Sequence, residues 1–299
     1  MSGRLRAGVI GAGVFGGYHA AKWATFSDAR LAAVLDVDAE RAGTLAARYG
    51  VQAFADDAEA FLAQVDVVSI ASPAVSHGDW ALAALRAGKS VYVEKPLATD
   101  LDAAEAIVAE GARRDLLVAC GFLERAALAA AGLLGVPERP VRLEATRLGA
   151  PSPRNQDVSV VLDLMIHDLD LALLLSAGEP FAVEAEGGAD EAMAEVSFDD
   201  GLVARIEASR LAAAPGRRLL VVYPSGEVEI DLAAGSLRNA TPFDLDPAFG
   251  QAPAGADRLA TSLAAFLAAV RGEGRPLADG RDGVRALDLG LAVQQALGE

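Results

Sequence analysis

Near its start the chain reads Leu5-Arg-Ala-Gly-Val-Ile10-Gly11-Ala-Gly13-Val14-Phe15-Gly16, a short apolar run followed by three glycines at fixed spacing. The run predicts a strand over 5–10, and a helix follows over 15–26, so the glycines fall in a strand-to-helix turn. The first permits the tight turn, the second lets another group approach the backbone, and the third lets the helix pack closely on the strand. Such a turn aims the unpaired N–H groups of a helix N-terminus at an anion. A chain that opens this way is expected to continue as a βαβ unit.

It does continue in that alternation. Strands are expected at 31–35, 65–71, 90–93 and 116–120, and helices at 39–49, 80–87 and 102–114. Alternating strands and helices imply a doubly wound parallel sheet, which places a Rossmann domain over residues 1–120. After Gly121 the pattern changes. Strands at 141–147, 181–186, 192–198, 202–209, 218–223 and 227–232 are joined by turn signals such as Asp199-Asp-Gly201 and Pro224-Ser-Gly226, with one helix over 158–175. This predicts an α+β domain over 121–299, an open antiparallel sheet with helices on one face. Helices at 257–271 and 281–297 end the chain and are expected to pack back toward the first domain.

A chain of 299 residues fits two domains. Mean hydropathy of +0.29 comes from alanine scattered among charges, and no apolar run reaches the roughly 18 residues that a membrane span needs. Met-Ser-Gly-Arg-Leu-Arg runs straight into the first strand without a signal-peptide core, so a cytoplasmic location is expected. A net charge of -16 argues against nucleic acid or an anionic membrane as partner. The single cysteine, Cys120, excludes an intrachain disulfide and a cysteine-clustered metal site, and three histidines are few for a zinc site. No metal is expected.

Asp36 ends the second strand about 20 residues after Gly16, where a carboxylate can accept hydrogen bonds from ribose hydroxyls and repel a 2′-phosphate. That favours NAD, while nearby Arg41 leaves NADP open. Val161-Leu-Asp163-Leu-Met-Ile-His167-Asp-Leu-Asp170 places a carboxylate and an imidazole four residues apart, on one face of a helix. Asp170, one turn from His167, is expected to share its face. Between 125 and 154 there are five arginines against two acids, a basic segment suited to an anionic substrate or simply to a solvated face.

Taken with Ala71-Ser72-Pro73 and His77, with Ala87-Gly88-Lys89-Ser-Val-Tyr-Val-Glu94-Lys95-Pro96-Leu97, and with Leu162-Asp163 through Asp170, the chain resembles the Gfo/Idh/MocA family, the glucose-fructose oxidoreductases and inositol dehydrogenases, over nearly its whole length. The resemblance implies a dehydrogenase acting on a CH–OH group. It implies that Gly11, Gly13, Val14, Phe15, Gly16, Asp36, Arg41, Ser72, Pro73 and His77 line the cofactor, with Glu94 and Lys95 near the nicotinamide ribose. It implies that Lys95, Asp163 and His167 form the catalytic group. His77 either approaches the nicotinamide or caps the following helix, and His19 is read as structural.

Within the family, the segment from Arg147 to Asp170 is similar to the branch that oxidises the 3-hydroxyl of UDP-N-acetylglucosamine for a partner aminotransferase. Arg125, Arg147 and Arg154 are then candidate substrate contacts, the last two for a diphosphate. The resemblance departs at Gly121-Phe122-Leu-Glu-Arg125, where many relatives carry Gly-His and then Arg-Phe-Asn-Pro. A polyol or inositol dehydrogenase and a non-catalytic dinucleotide sensor stay open as alternatives. A homodimer or homotetramer is expected, because alternate positions of 203–207 and 219–223 are apolar.

Overall fold

The run Leu5–Ile10 forms strand β1 at the centre of a parallel sheet in the computed structural model, which describes residues 3–151 and 157–298. The chain separates into two units. One holds the residues up to Gly121 together with Ser262–Val284, and the other holds Phe122–Thr261 and the residues from Arg285 onward.

In the first unit β1 is followed by α1 (Val14–Thr25), β2 (Ala29–Leu35), α2 (Ala39–Tyr49), β3 (Gln52–Phe54), α3 (Ala58–Ala63) and β4 (Val67–Ile70). Then come α4 (His77–Arg86), β5 (Ser90–Val93), α5 (Leu101–Arg114) and β6 (Val118–Cys120). The strand order is β3-β2-β1-β4-β5-β6, every pairing parallel. Strands β4 and β5 are buried along their whole length, as expected of apolar runs covered on both faces. Asp38 starts α2 by accepting the N–H groups of Glu40 and Arg41. Chain direction across the sheet reverses between β1 and β4, so the loops after these two strands border one crevice, where open α/β sheets bind ligands.

The later segment of this unit joins it through named contacts. Tyr92 Oη lies 2.9 Å from Ser262 Oγ, the Tyr92 and Phe266 rings meet edge to face at 5.8 Å, and the Cys120 N–H donates to Ala278 O at 3.1 Å.

The second unit contains α6 (Glu124–Ala130), β7 (Arg142–Leu148), a π-helical turn Val161–Met165 running into α7 (Ile166–Leu175), β8 (Pro180–Gly188), β9 (Glu191–Phe198) and β10 (Val203–Ser209). It continues with β11 (Gly216–Tyr223), β12 (Gly226–Asp231), β13 (Ser236–Asn239) and α8 (Pro253–Ala256). Helix α9 (Arg258–Val270) begins here, and α10 (Gly280–Leu297) ends here. The sheet order is β13-β12-β11-β7-β10-β9-β8. It is mixed rather than wholly antiparallel, because β7 and β10 run parallel. The chain between β7 and β8 passes through α7, a crossover long enough to bring the hairpins back in the same direction as β7.

One face of this sheet buries Leu143, Ala145, Val196, Ile206, Leu219, Val221, Val228 and Ile230. Each large aliphatic side chain among them contributes about 1.5–3 kcal/mol. The other face departs from the expected apolar stripe. It carries exposed Glu195, Arg205, Glu207 and Arg218, with Leu220 and Val222 only half-buried among them. Among the described residues no helix is long and apolar enough to cross a membrane.

Candidate active site

The glycine turn of the first unit is shaped by contacts no side chain would tolerate. Gly11 has φ +95°, and a Cβ there would lie 2.6 Å from Ala71 O, in the loop after β4. A Cβ on Gly16 would fall 1.7 Å from Gly11 O, so only glycine lets α1 pack this closely on β1. Gly13, in contrast, faces open space, with nothing within 4 Å of a Cβ position. The backbone at the start of α1 is therefore open to an approaching pyrophosphate, and Val14 and Phe15 are exposed beside it.

Asp36 closes the far side. Its carboxylate accepts the Ala12 N–H at 2.6 Å, the Asp38 N–H at 2.8 Å and Arg41 Nη2 at 2.9 Å. Burial alone would raise its pKa, but the two N–H groups and Arg41 outweigh it and hold the carboxyl below its ordinary value. A fixed anion thus stands at the end of β2. A cavity of about 610 Å³ runs on from Ala12, Gly13 and Val14 between α1 and α2 to Asp38, Arg41 and Arg48. Open glycine backbone, helix N-terminus and buried carboxylate together fit a dinucleotide.

The loops after β4 and β5 are tied together by His77. Its Nδ1 lies 2.7 Å from Pro96 O and its Nε2 lies 2.9 Å from Ser72 O, so the imidazole clamps the Ser72-Pro73 turn to the Lys95-Pro96 segment. Burial lowers its pKa below the ordinary histidine value, against the opposing pull of the two carbonyls. Glu94 is buried and accepts from His19 Nε2 at 2.9 Å, in a slot so close to Gly121 that a Cβ there would sit 2.9 Å from its carboxylate. His19 is thereby a support for Glu94, a partnership its place on α1 did not disclose. Lys95, at the end of β5, is half-buried.

In the second unit the acid and imidazole lie where a π-turn passes into α7. The Ile166 N–H bonds to Val161 O, five residues back, so the turn holding Asp163 is wider than the α-helix expected there. Asp163 is buried, with Arg210 Nη1 at 4.0 Å, whereas His167 is half-buried. The Phe122 ring, fully buried, meets the His167 ring edge-on at 6.4 Å and 85°. The aromatic residue at the point of departure from the family pattern is thus a wall for the imidazole.

Arg139 and Arg142 of the basic segment are exposed, whereas Arg125 and Arg147 are buried in ion pairs. Arg125 grips Asp170 with Nε at 2.9 Å and Nη2 at 2.6 Å, both side chains buried. Asp170 therefore faces Arg125. Arg147 grips Asp168 with Nε at 2.7 Å and Nη2 at 2.9 Å, and donates Nη1 to Glu124 Oε1 at 3.1 Å. At 2% exposure its charge is neutralised inside the unit, which corrects the expectation of a diphosphate contact. Burial alone would raise the Glu124 pKa, but Arg147, Arg258 and Arg217 hold it below its ordinary value. Arg154 lies outside the described residues.

Residues 5–122 match an oxidoreductase family with an NAD-binding Rossmann fold, Gfo/Idh/MocA, and residues 139–229 match the Gfo/Idh/MocA C-terminal domain. The chain is 36% identical to UDP-N-acetylglucosamine 3-dehydrogenase of Acidithiobacillus ferrooxidans, over 98% of this chain and 97% of that one. The solved structure of that enzyme matches with a TM-score of 0.88, covering 98% of both chains. Identity to myo-inositol 2-dehydrogenase of Thermotoga maritima is 28%, over 99% of this chain and 97% of that one.

Proposed function

Because the chain belongs to the Gfo/Idh/MocA family of oxidoreductases, whose Rossmann domain binds NAD, we propose that it oxidises the 3-hydroxyl of UDP-N-acetylglucosamine. One observation carries this reading. The likeness to UDP-N-acetylglucosamine 3-dehydrogenase runs through both units, so it spans the substrate half as well as the cofactor half.

NAD would supply the hydride acceptor for the carbinol carbon. The glycine turn and the start of α1 would hold its pyrophosphate, Asp36 its adenosine ribose, and Ser72, Pro73 and Glu94 would flank the nicotinamide half. A secondary alcohol is too weak an acid to ionise unaided near neutrality, so oxidation needs a base for its proton and a cation beside its oxygen. His167 takes the proton on an imidazole steadied by Phe122. The Lys95 ammonium faces the growing negative charge, and Asp163 orients His167 or holds a substrate hydroxyl. Arg154 is the remaining candidate in the basic segment for the diphosphate. The 3-keto product is a substrate for an aminotransferase, and a cytoplasmic homodimer or homotetramer completes the reading.

The test is NADH formation with UDP-N-acetylglucosamine, beside UDP-glucose, N-acetylglucosamine and myo-inositol, with the keto product removed to draw the reaction forward. Turnover confined to the sugar nucleotide is expected. Turnover with myo-inositol alone would overturn the substrate assignment, and NADH binding without turnover on any of them would favour a sensor.

A further inference from the structure

Outside the site described above, the second unit holds a cavity of about 550 Å³ at the start of β11. Its walls are Gly216 and Arg217 of β11, the turn Leu232–Gly235 after β12, residues 250 and 255–256, and Arg258 at the head of α9. The turn and residue 250 meet backbone to backbone. A Cβ on Gly235 would lie 2.5 Å from Gly250 Cα, and one on Gly250 would lie 2.6 Å from Gly235 Cα. This close approach leaves a wall of glycine and alanine with both long cationic side chains opposite.

Glu124 is shared among more cations than it can pair closely. Glu124 is shared by Arg147 at 3.1 Å, Arg217 at 3.7 Å and Arg258, and Asp168 is taken by Arg147. Within this cluster three guanidinium groups share two carboxylates, while the Asp231 carboxylate beside the cavity accepts the Ala233 and Ala234 N–H groups. The least tightly paired cation of the cluster is Arg217, whose contact with Glu124 is the longest and whose side chain is 52% exposed. Burial, followed by the repulsion of Arg147, lowers the Arg217 pKa below its ordinary value, with Arg258 adding to the repulsion. Arg258 is also fixed by donating to Leu232 O, in the cavity wall.

We propose that this cavity is a binding site for a phosphate-bearing small molecule, held by Arg217 and Arg258 against the glycine-rich wall. Guanidinium groups match phosphate oxygens in charge and fork geometry, and the volume is that of an organic ligand rather than a single ion. The dehydrogenase chemistry uses none of these residues, so the site itself stands apart from the sugar-nucleotide reading, and only the assignment of its phosphate to the substrate rests on that reading. The phosphate group has two possible sources, the diphosphate of a substrate or a separate phosphorylated ligand.

Calorimetric titration of the full chain with inorganic pyrophosphate, with saturating NADH to occupy the glycine turn and no sugar substrate present, tests the site. Pyrophosphate is expected to bind, more weakly at higher ionic strength, and Arg217→Ala is expected to weaken it about tenfold or more. Ala233→Trp, which fills the cavity from an exposed position without removing a charge, is expected to do the same. Absence of binding, or equal affinity in wild type and both variants, would overturn the proposal. If UDP displaces pyrophosphate and Arg217→Ala raises the KM for UDP-N-acetylglucosamine more than it changes kcat, the ligand is the substrate's diphosphate. If UDP leaves pyrophosphate in place, the cavity serves a separate phosphorylated ligand. Either result upholds the site.

Discussion

Arg147→Met separates a structural cation from a substrate contact. Methionine roughly conserves volume, so the main loss is electrostatic. Asp168, 1% exposed, loses both of its guanidinium bonds, while Glu124 keeps Arg258 and Arg217. Breaking a buried ion pair on one side costs about 3–5 kcal/mol. An independent bound comes from protonating the stranded carboxyl. From an ordinary carboxylate pKa to pH 7 is about three units at about 1.4 kcal/mol each, or about 4 kcal/mol. The same picture sets a pH dependence. In the variant, folded Asp168 keeps a proton that the unfolded chain releases above about pH 4, so the deficit grows with pH by about 1.4 kcal/mol per unit toward neutrality. Adding Asp168→Asn should recover most of the loss. Urea unfolding followed by far-UV circular dichroism is the assay, because Trp23 and Trp80 both lie in the first unit and their fluorescence reports on that unit. A variant within about 0.5 kcal/mol of wild type, altered only in KM, would refute the burial argument.

Lys95→Ala should lower kcat about a hundredfold or more while NADH affinity by fluorescence titration stays close to wild type; an undiminished rate would remove Lys95 from the chemistry. Asp36→Ala strips the acceptor from the Ala12 and Asp38 N–H groups and should weaken NAD binding about tenfold or more, with a smaller loss for NADP; an unchanged NAD to NADP ratio would count against the ribose assignment. His77 has a folded pKa below its unfolded value, so its contribution is complete above about pH 6.5 and is lost as pH falls through the lowered folded value. Tryptophan-monitored unfolding should show that decline, and His77→Asn should flatten it; parallel pH profiles would assign the decline to other groups.

The cofactor half was largely legible, because its signals are local. A strand, three glycines and an acid at the next strand end occur at set distances along the chain, and the buried strands are continuous apolar runs. Gln52–Phe54 and Ala58–Ala63 escaped notice because a three-residue strand and a six-residue helix are too short to show a period. The parallel pairing of β7 with β10 joins segments far apart in sequence, with no signal in either. The π-turn at Val161–Met165 has the composition of an ordinary helix. The misreading of Arg147 has a physical lesson. A local tally counts neighbouring charges, but Asp168 lies 21 residues from Arg147. A carboxylate in an apolar helix, as at Asp168 and Asp170, is itself a signal that a cation from elsewhere will be buried against it.

The return of Ser262–Val284 to the first unit bears on how the protein is made. A ribosome delivers the six parallel strands first, yet the Tyr92 hydroxyl and the Cys120 amide find Ser262 and Ala278 only after more than a hundred further residues have emerged. During that interval the nascent first unit exposes the ring that Phe266 later covers, while the whole sheet of the second unit can form behind it. The half that appears first is therefore closed only once residues 262–284 have emerged, and a cut between Thr261 and Ser262 leaves it open however intact its own strands are.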